Sequence, residues 1–209
     1  MNKAAPIDVV IDLSHHNGVV DFVKLEASGI VGVIGKASQG LTHIDPLFAA
    51  HRDAAKAVGL LWGAYHFGVN ADGAAQADHF LARTGTDPST LLALDFESNG
   101  DSDATMTLDQ ARAFLRRVND RTGRWPGLYS GDLIRHALGD QKDAELARSW
   151  LWLAQYGPEA QTPANWPHWA LWQYTSQGTA AGIVGKVDRN RFNGTLDGLK
   201  RFWGAATQG

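Results

Sequence analysis

The sequence predicts an α/β fold, a parallel barrel whose second half has lost its crossover helices, on three observations. Short β-branched and apolar runs alternate with helical patterns of about 10 to 15 residues through the first part of the chain, which is the rhythm of βαβ units. Beyond about residue 148 that rhythm changes, and three further runs are separated by loops rich in Gly, Pro and Gln. No Pro/Gly/Ser-rich linker and no internal repeat divides the 209 residues, so one domain spanning 1–209 is expected. An open doubly wound sheet is the alternative architecture.

The elements follow in order. Residues 9–13, 30–36, 60–67, 91–96 and 127–130 are the first five strands, each ending at a polar or glycine-bearing break. Helices are expected over 46–58, 71–84 and 108–122. In the last of these Leu108, Ala111, Phe114, Leu115 and Val118 recur at three- and four-residue steps, and Thr107 can cap it. Residues 150–154, 170–174 and 184–188 read as the last three strands, and 196–203 as a closing helix.

Composition removes several classes of function. Hydrophobic residues at 44% and charged residues at 20% describe an ordinary folded domain rather than a coiled coil or a disordered tail. Nineteen Lys+Arg against 22 Asp+Glu leave a net charge of −3, which argues against a nucleic-acid partner held through its phosphates. No apolar run is long enough to enter a membrane, and residues 1–6 lack the apolar core of a secretion signal, so synthesis in the cytoplasm is expected. With no cysteine there is no disulfide, no motif calls for a cofactor, and a monomer is the default.

The chemistry concentrates in acidic residues at strand ends. Leu91-Leu92-Ala93-Leu94-Asp95-Phe96-Glu97 is an apolar strand ending in two carboxylates two residues apart, so both face the same side. In a parallel barrel the C-terminal strand ends form the rim where active sites lie. Asp12 closes the first strand in the same way, with His15, His16 and Asn17 following it, and Asp188 is a fourth candidate near the C-terminus. Asp8 precedes its run and belongs at the opposite end. Each also has an ordinary explanation as a capping or solvated loop residue. Four carboxylates converging on one cavity cannot all ionise cheaply, so at least one is held protonated at neutral pH. A protonated acid beside an ionised carboxylate is the pair that glycosidic bond cleavage requires. The same cluster, with His15, could instead hold Mg²⁺ or Ca²⁺ in a metal-dependent hydrolase.

The aromatic supply around these strand ends favours sugar. Tyr65 and His66 close the third strand, Tyr129 the fifth, Trp150 and Trp152 the sixth, and Trp172 and Gln173 the seventh. Aromatic faces stack on sugar C–H surfaces, while Tyr, Trp and Gln polar atoms bond hydroxyl and acetamido groups. Trp152 fits a core position equally well, and His66 reads equally as a satisfied core histidine.

Taken in order, these motifs resemble the family 25 glycoside hydrolases, the Chalaropsis-type lysozymes. The resemblance rests on Asp-x-Ser-x-x-Asn-Gly at 12–18, Lys-Ala-Ser-Gln-Gly at 36–40, Tyr65-His66-Phe67, Asp95-Phe96-Glu97, Trp172-Gln173-Tyr174 and Asp188-x-Asn-x-Phe. It implies a distorted TIM-like barrel of five βα units followed by three strands with few helices. It also implies a muramidase that hydrolyses the β-1,4 bond between N-acetylmuramic acid and N-acetylglucosamine in peptidoglycan, without metal or other cofactor. Glu97 would be the proton donor and Asp95 its partner, either as nucleophile or by steadying an oxazolinium. Asp12 and Asp188 would line the site, and Tyr65, Tyr129 and Trp172 would shape the sugar subsite. The resemblance extends to phage endolysins and exported effectors, which reach the bacterial wall after release. A catalytically silent glycan-binding barrel is the rival. Where the family often has glutamate, this chain has Gln39, for which altered contacts rather than lost catalysis are expected. Arg189 and Arg191 either pair with peptidoglycan carboxylates or face water.

Overall fold

The computed structural model describes residues 5–207. Eight strands close a barrel: β1 (Ile7–Leu13), β2 (Gly32–Gln39), β4 (Leu61–Phe67), β5 (Leu91–Asp95), β6 (Gly127–Ser130), β7 (Leu151–Ala154), β8 (Leu171–Gly178) and β9 (Val187–Phe192). Their order is β1-β9-β8-β7-β6-β5-β4-β2, and parallel pairing of β1 with β2 completes the ring. A two-residue strand, β3 (His43–Ile44), folds back on the end of β2. Five helices follow the first five barrel strands: α1 (Phe22–Ala27), α2 (Phe48–Ala57), α3 (Gly73–Thr84), α4 (Leu108–Thr122) and α5 (Asp132–Leu138). The expected five βα units followed by three strands are therefore present.

Local chemistry sets the helix ends. Thr107 and Gln110 form a reciprocal capping box at the start of α4, and Gly123 ends it at φ 72°, a left-handed conformation that glycine adopts without steric cost. Ala111, Phe114, Leu115 and Val118 are its buried stripe, as the spacing predicts. Sequence periodicity missed α1 and α5. Six and seven residues are too few to display a 3.6-residue period, and α5 buries only Ile134.

Strand alternation divides the apolar residues into two layers. Leu92, Leu94 and Phe96 face outward into the layer under the helices, while Leu91 and Ala93 face inward with Val10, Ile34 and Leu171. The last helix, α6 (Leu196–Thr207), supplies Leu199 and Trp203 to that inner cluster. The Trp203 indole donates to the Trp62 carbonyl at 3.1 Å and lies about 3.0 Å from where a Cβ on Gly32 would stand. Gly32 and Val10 lie toward the N-terminal ends of their strands, so α6 closes the barrel floor. The opposite end, where the parallel strands finish, stays open.

One expected strand is corrected. Residues 184–188 do not form a strand ending at Asp188; β9 begins at Val187 and runs antiparallel to both β1 and β8. Asp188 still reaches the rim, directly opposite Asp12, because the start of a reversed strand lies where its neighbours end. Asp8 sits at the other end of β1, on its outer side, paired with Arg189 at 2.9 Å.

Candidate active site

The open end of the barrel holds a cavity of about 170 Å³ lined by Asp12, Tyr65, Asp95, Glu97, Tyr129, Trp152, Tyr156, Gln173 and Asp188. Eight of these were candidates from sequence. Asp95 continues the inward set of Leu91 and Ala93, and Glu97 follows it one alternation later, so the two share a face as expected.

Asp12 is the polar hub. Gln173 Nε2 donates to its Oδ1 and Oδ2 at 3.2 and 3.0 Å, and Asn190 Nδ2 donates to Oδ2 at 2.8 Å. Both amides are themselves held. The Tyr129 hydroxyl donates to Gln173 Oε1 at 2.9 Å and the Trp152 indole to Asn190 Oδ1 at 2.7 Å. Tyr129 and Tyr65 meet Trp152 edge-on, at 4.8 and 6.1 Å between ring centres. Asp95, which lines the cavity, has its Oδ1 buried with no hydrogen-bond partner among the described residues.

Burial raises the pKa of all four carboxyls. Asp12 is pushed up to about 8 by burial first and by the Asp188 charge second, against the opposing pull of its two amide donors. Burial and the neighbouring Glu97 push Asp95 well above the usual carboxylate range. Burial raises Glu97 and Asp188 as well. The Lys36 ammonium, half-buried on β2, pulls Asp95 and Glu97 back down. Such a cluster titrates as a unit and retains protons at neutral pH. Among the described residues no three His, Cys, Asp or Glu side chains are arranged to hold one metal ion. His15 turns aside to Asp45, Nδ1 to Oδ2 at 2.8 Å.

Two expected site residues lie elsewhere. His66 is fully buried between barrel and helices, its Nδ1 2.9 Å from Ser38 Oγ and its ring 5.1 Å from that of Phe114. Burial lowers its pKa to about 3, so it is neutral. Trp172 faces outward, its indole donating to the Gln155 carbonyl at 2.6 Å and Arg191 lying 5.2 Å over its ring. The reason is period two: Tyr65 and Gln173 point inward, so the residues next to them cannot. The same alternation sends Arg189 and Arg191 outward, to Asp8 and to the Trp172 and Tyr174 rings, rather than toward a ligand.

Tyr156 was missed. It lies two residues past β7, is 59% exposed, and still reaches Gln173 Oε1 with its hydroxyl at 3.2 Å. An aromatic residue just beyond a strand end in a Gly- and Pro-bearing loop was the available signal. Lys36 and Asn190 stood in quoted motifs, but only the structure aims them at the carboxylates. Gln39 accepts from Lys36 Nζ at 2.8 Å and keeps that ammonium in place without neutralising it.

The fold and sequence have close counterparts. The bacterial lysozyme from Streptomyces coelicolor superposes with a TM-score of 0.87 at 31% identity, over 97% of this chain and 99% of that one. Lysozyme M1 of Streptomyces globisporus is 33% identical over 198 residues, 88% of this chain and 67% of that protein. The N,O-diacetylmuramidase of Chalaropsis sp is 32% identical over 208 residues, covering 91% of this chain and 96% of that protein. The model of the family described as Glycosyl hydrolases family 25 matches residues 11–183, and this chain belongs to that family.

Proposed function

We propose that the chain is a peptidoglycan muramidase, cutting the β-1,4 bond from N-acetylmuramic acid to N-acetylglucosamine with carboxyl groups alone. The observation that carries this reading is the convergence of Asp12, Asp95, Glu97 and Asp188 on one small cavity whose burial keeps protons on acids. Glu97, two residues past the end of β5 and less buried than Asp95, gives its proton to the glycosidic oxygen as the bond from that oxygen to the anomeric carbon breaks. Asp95, which is ionised when the proton the cluster retains sits on Glu97 and is drawn toward that form by the Lys36 ammonium, faces the positive charge that develops on the sugar, as nucleophile or as partner of the substrate's acetamido group. A water then supplies hydroxide to the anomeric carbon and returns a proton to Glu97. Asp12 and Asp188 set the local charge, and Tyr65, Tyr129, Trp152 and Gln173 shape the sugar site. The enzyme works as a monomer on the bacterial wall, reached after release in the manner of an endolysin or an exported effector.

Glu97→Gln is the direct test. Lysis of purified sacculi should fall by at least about a hundredfold, as when a general acid is removed, with an unchanged circular dichroism spectrum. A fully active variant ends the reading. Wild type that binds sacculi and releases no reducing ends supports the silent glycan-binding barrel instead.

A further inference from the structure

Asparagine followed by glycine occurs three times, at 17–18, 99–100 and 193–194. Such a pair can modify itself, because glycine has no side chain to shield its backbone nitrogen from the amide that precedes it. The reacting groups are the asparagine side-chain amide and the glycine N–H, and both must be free to meet. At two of the pairs they are held. Asn17 Oδ1 accepts from Ser14 N at 3.0 Å and Asn17 Nδ2 donates to the Lys186 carbonyl at 3.3 Å, while Gly18 N donates to the His15 carbonyl at 3.1 Å. Asn193 Nδ2 donates to the Trp169 carbonyl and Gly194 N to the Phe192 carbonyl, each at 2.9 Å.

The pair at 99–100 differs. Ser98, Asn99 and Gly100 are exposed in the loop that follows β5. Among the described residues neither the Asn99 side-chain amide nor the Gly100 N–H has a hydrogen-bond partner. Gly100 stands at φ 76°, with nothing within 4 Å of where a Cβ would be, so the peptide lies in open space. The loop is tied on either side of it: Asn99 N donates to Thr105 Oγ1 at 3.1 Å, and that hydroxyl donates to the Asp101 carbonyl at 2.8 Å.

We propose that Asn99 is a self-modification site, at which the chain converts a neutral amide into a carboxylate beside its proton donor. The Gly100 nitrogen attacks Asn99 Cγ; the new C–N bond forms, the Cγ–Nδ2 bond breaks, and the Gly100 amide proton departs with Nδ2 as ammonia. Water then opens the resulting succinimide at either carbonyl, giving aspartate or isoaspartate, so solvent is the only co-reactant. Glu97 is faced by Lys36 from β2, Asp12 from β1, Asp95 from β5, Asp188 from β9, and Asp132 and His136 from α5. A carboxylate at position 99 joins the acidic side of that balance and holds the Glu97 proton to higher pH. This effect rests on the muramidase reading, whereas the covalent step does not.

Wild type and Asn99→Ser, aged in mildly alkaline buffer, are compared by intact mass and peptide mapping. Wild type should gain about 1 Da with time, and Asn99→Ser should not gain it at that rate. The Asn99 peptide should convert at least about tenfold faster than those bearing Asn17 and Asn193, which must first release hydrogen bonds. Conversion shared equally among the three, a gain undiminished in Asn99→Ser, or no gain at all overturns the site. Asn99→Asp carries the product's charge permanently. For a charge roughly 10 Å away in water, the alkaline limb of the kcat/KM profile for sacculus hydrolysis should rise by about 0.3 of a pH unit at low salt and return at high salt. A limb that stays in place or moves down overturns the effect on Glu97. Wild type that does not hydrolyse sacculi ends the muramidase reading instead, and the mass measurement, which needs no turnover, still decides the modification site.

Discussion

Asp12→Asn should make the protein more resistant to alkaline destabilisation, by an amount that the buried carboxyl itself fixes. Asp12 is 5% exposed, and its pKa is raised from 3.8 to about 8 in the folded state. Between those values the folded chain holds a proton that the unfolded chain has lost. Stability from this group is therefore full below about pH 4 and declines as pH rises toward 8, the reverse of the usual carboxylate. Each pH unit in that window costs about 1.4 kcal/mol, so between pH 5 and pH 8 the loss is on the order of 4 kcal/mol. Asparagine does not titrate. It places one amide N–H₂ among donors from Gln173 and Asn190, at a pH-independent cost of about 1–3 kcal/mol. Urea unfolding of wild type and variant at pH 5, 6, 7 and 8 reads the difference directly. The variant should start less stable or equal at pH 5 and gain on wild type with each step. A difference constant to within about 0.5 kcal/mol across the series would show that Asp12 ionises freely in the folded state, and the account of the cluster would fail.

Three further outcomes follow from the same structure. Lys36→Met removes the cation that lowers Asp95 and Glu97, so the alkaline limb of the pH–rate profile for sacculus hydrolysis should move to higher pH; a shift to lower pH contradicts that role. His66 refuses a proton in the folded state until about pH 3 while the unfolded chain binds one below 6.5, so this residue erodes stability on acidification through that window. His66→Gln should flatten that part of the slope relative to wild type in urea titrations while preserving activity per folded molecule. Gly73→Ala places a Cβ 1.9 Å from the Gln110 carbonyl where α3 meets α4, and should destabilise by about 3 kcal/mol or more in thermal melts; an unchanged melting temperature would mean the helices separate without cost.

The long, strongly patterned pieces of this fold were legible in the sequence because burial on two sides leaves a continuous apolar run and burial on one side leaves a stripe. Strand β6 and helix α4 fall on the expected residues. What was not legible depends on tertiary partners. Helix α1 forms on an Asp21 cap and two buried residues, and β9 reverses because it pairs with β1, neither of which is a local property. The site divides the same way. Four carboxylates and their faces follow from strand ends and alternation. His66 and Trp172 have side chains suited to a sugar site but stand next to Tyr65 and Gln173, and the alternation that turns those two inward turns their neighbours away from the mouth. Tyr156 escaped because its loop position carries no period at all.

The missing crossover helices of the second half have a structural consequence at the site. A parallel strand can place at the mouth only the residues of its C-terminal end, and the chain must then return through a crossover. By turning back through a hairpin after β8, the chain brings the beginning of β9 to the mouth instead. Asp188 thus lies opposite Asp12 in register, and two residues further down Asn190 donates to the same carboxylate. Had β9 been parallel, Asp188 would sit at the floor beside α6, and Asp12 would lose both the charge and one of the donors that surround it. The second donor, Gln173, comes from β8, paired with Asn190 across the same hairpin. Three of the groups that set the state of Asp12 therefore come from one antiparallel pair, and the reversal of a single strand is what makes a four-carboxylate cavity possible in a barrel with five crossover helices.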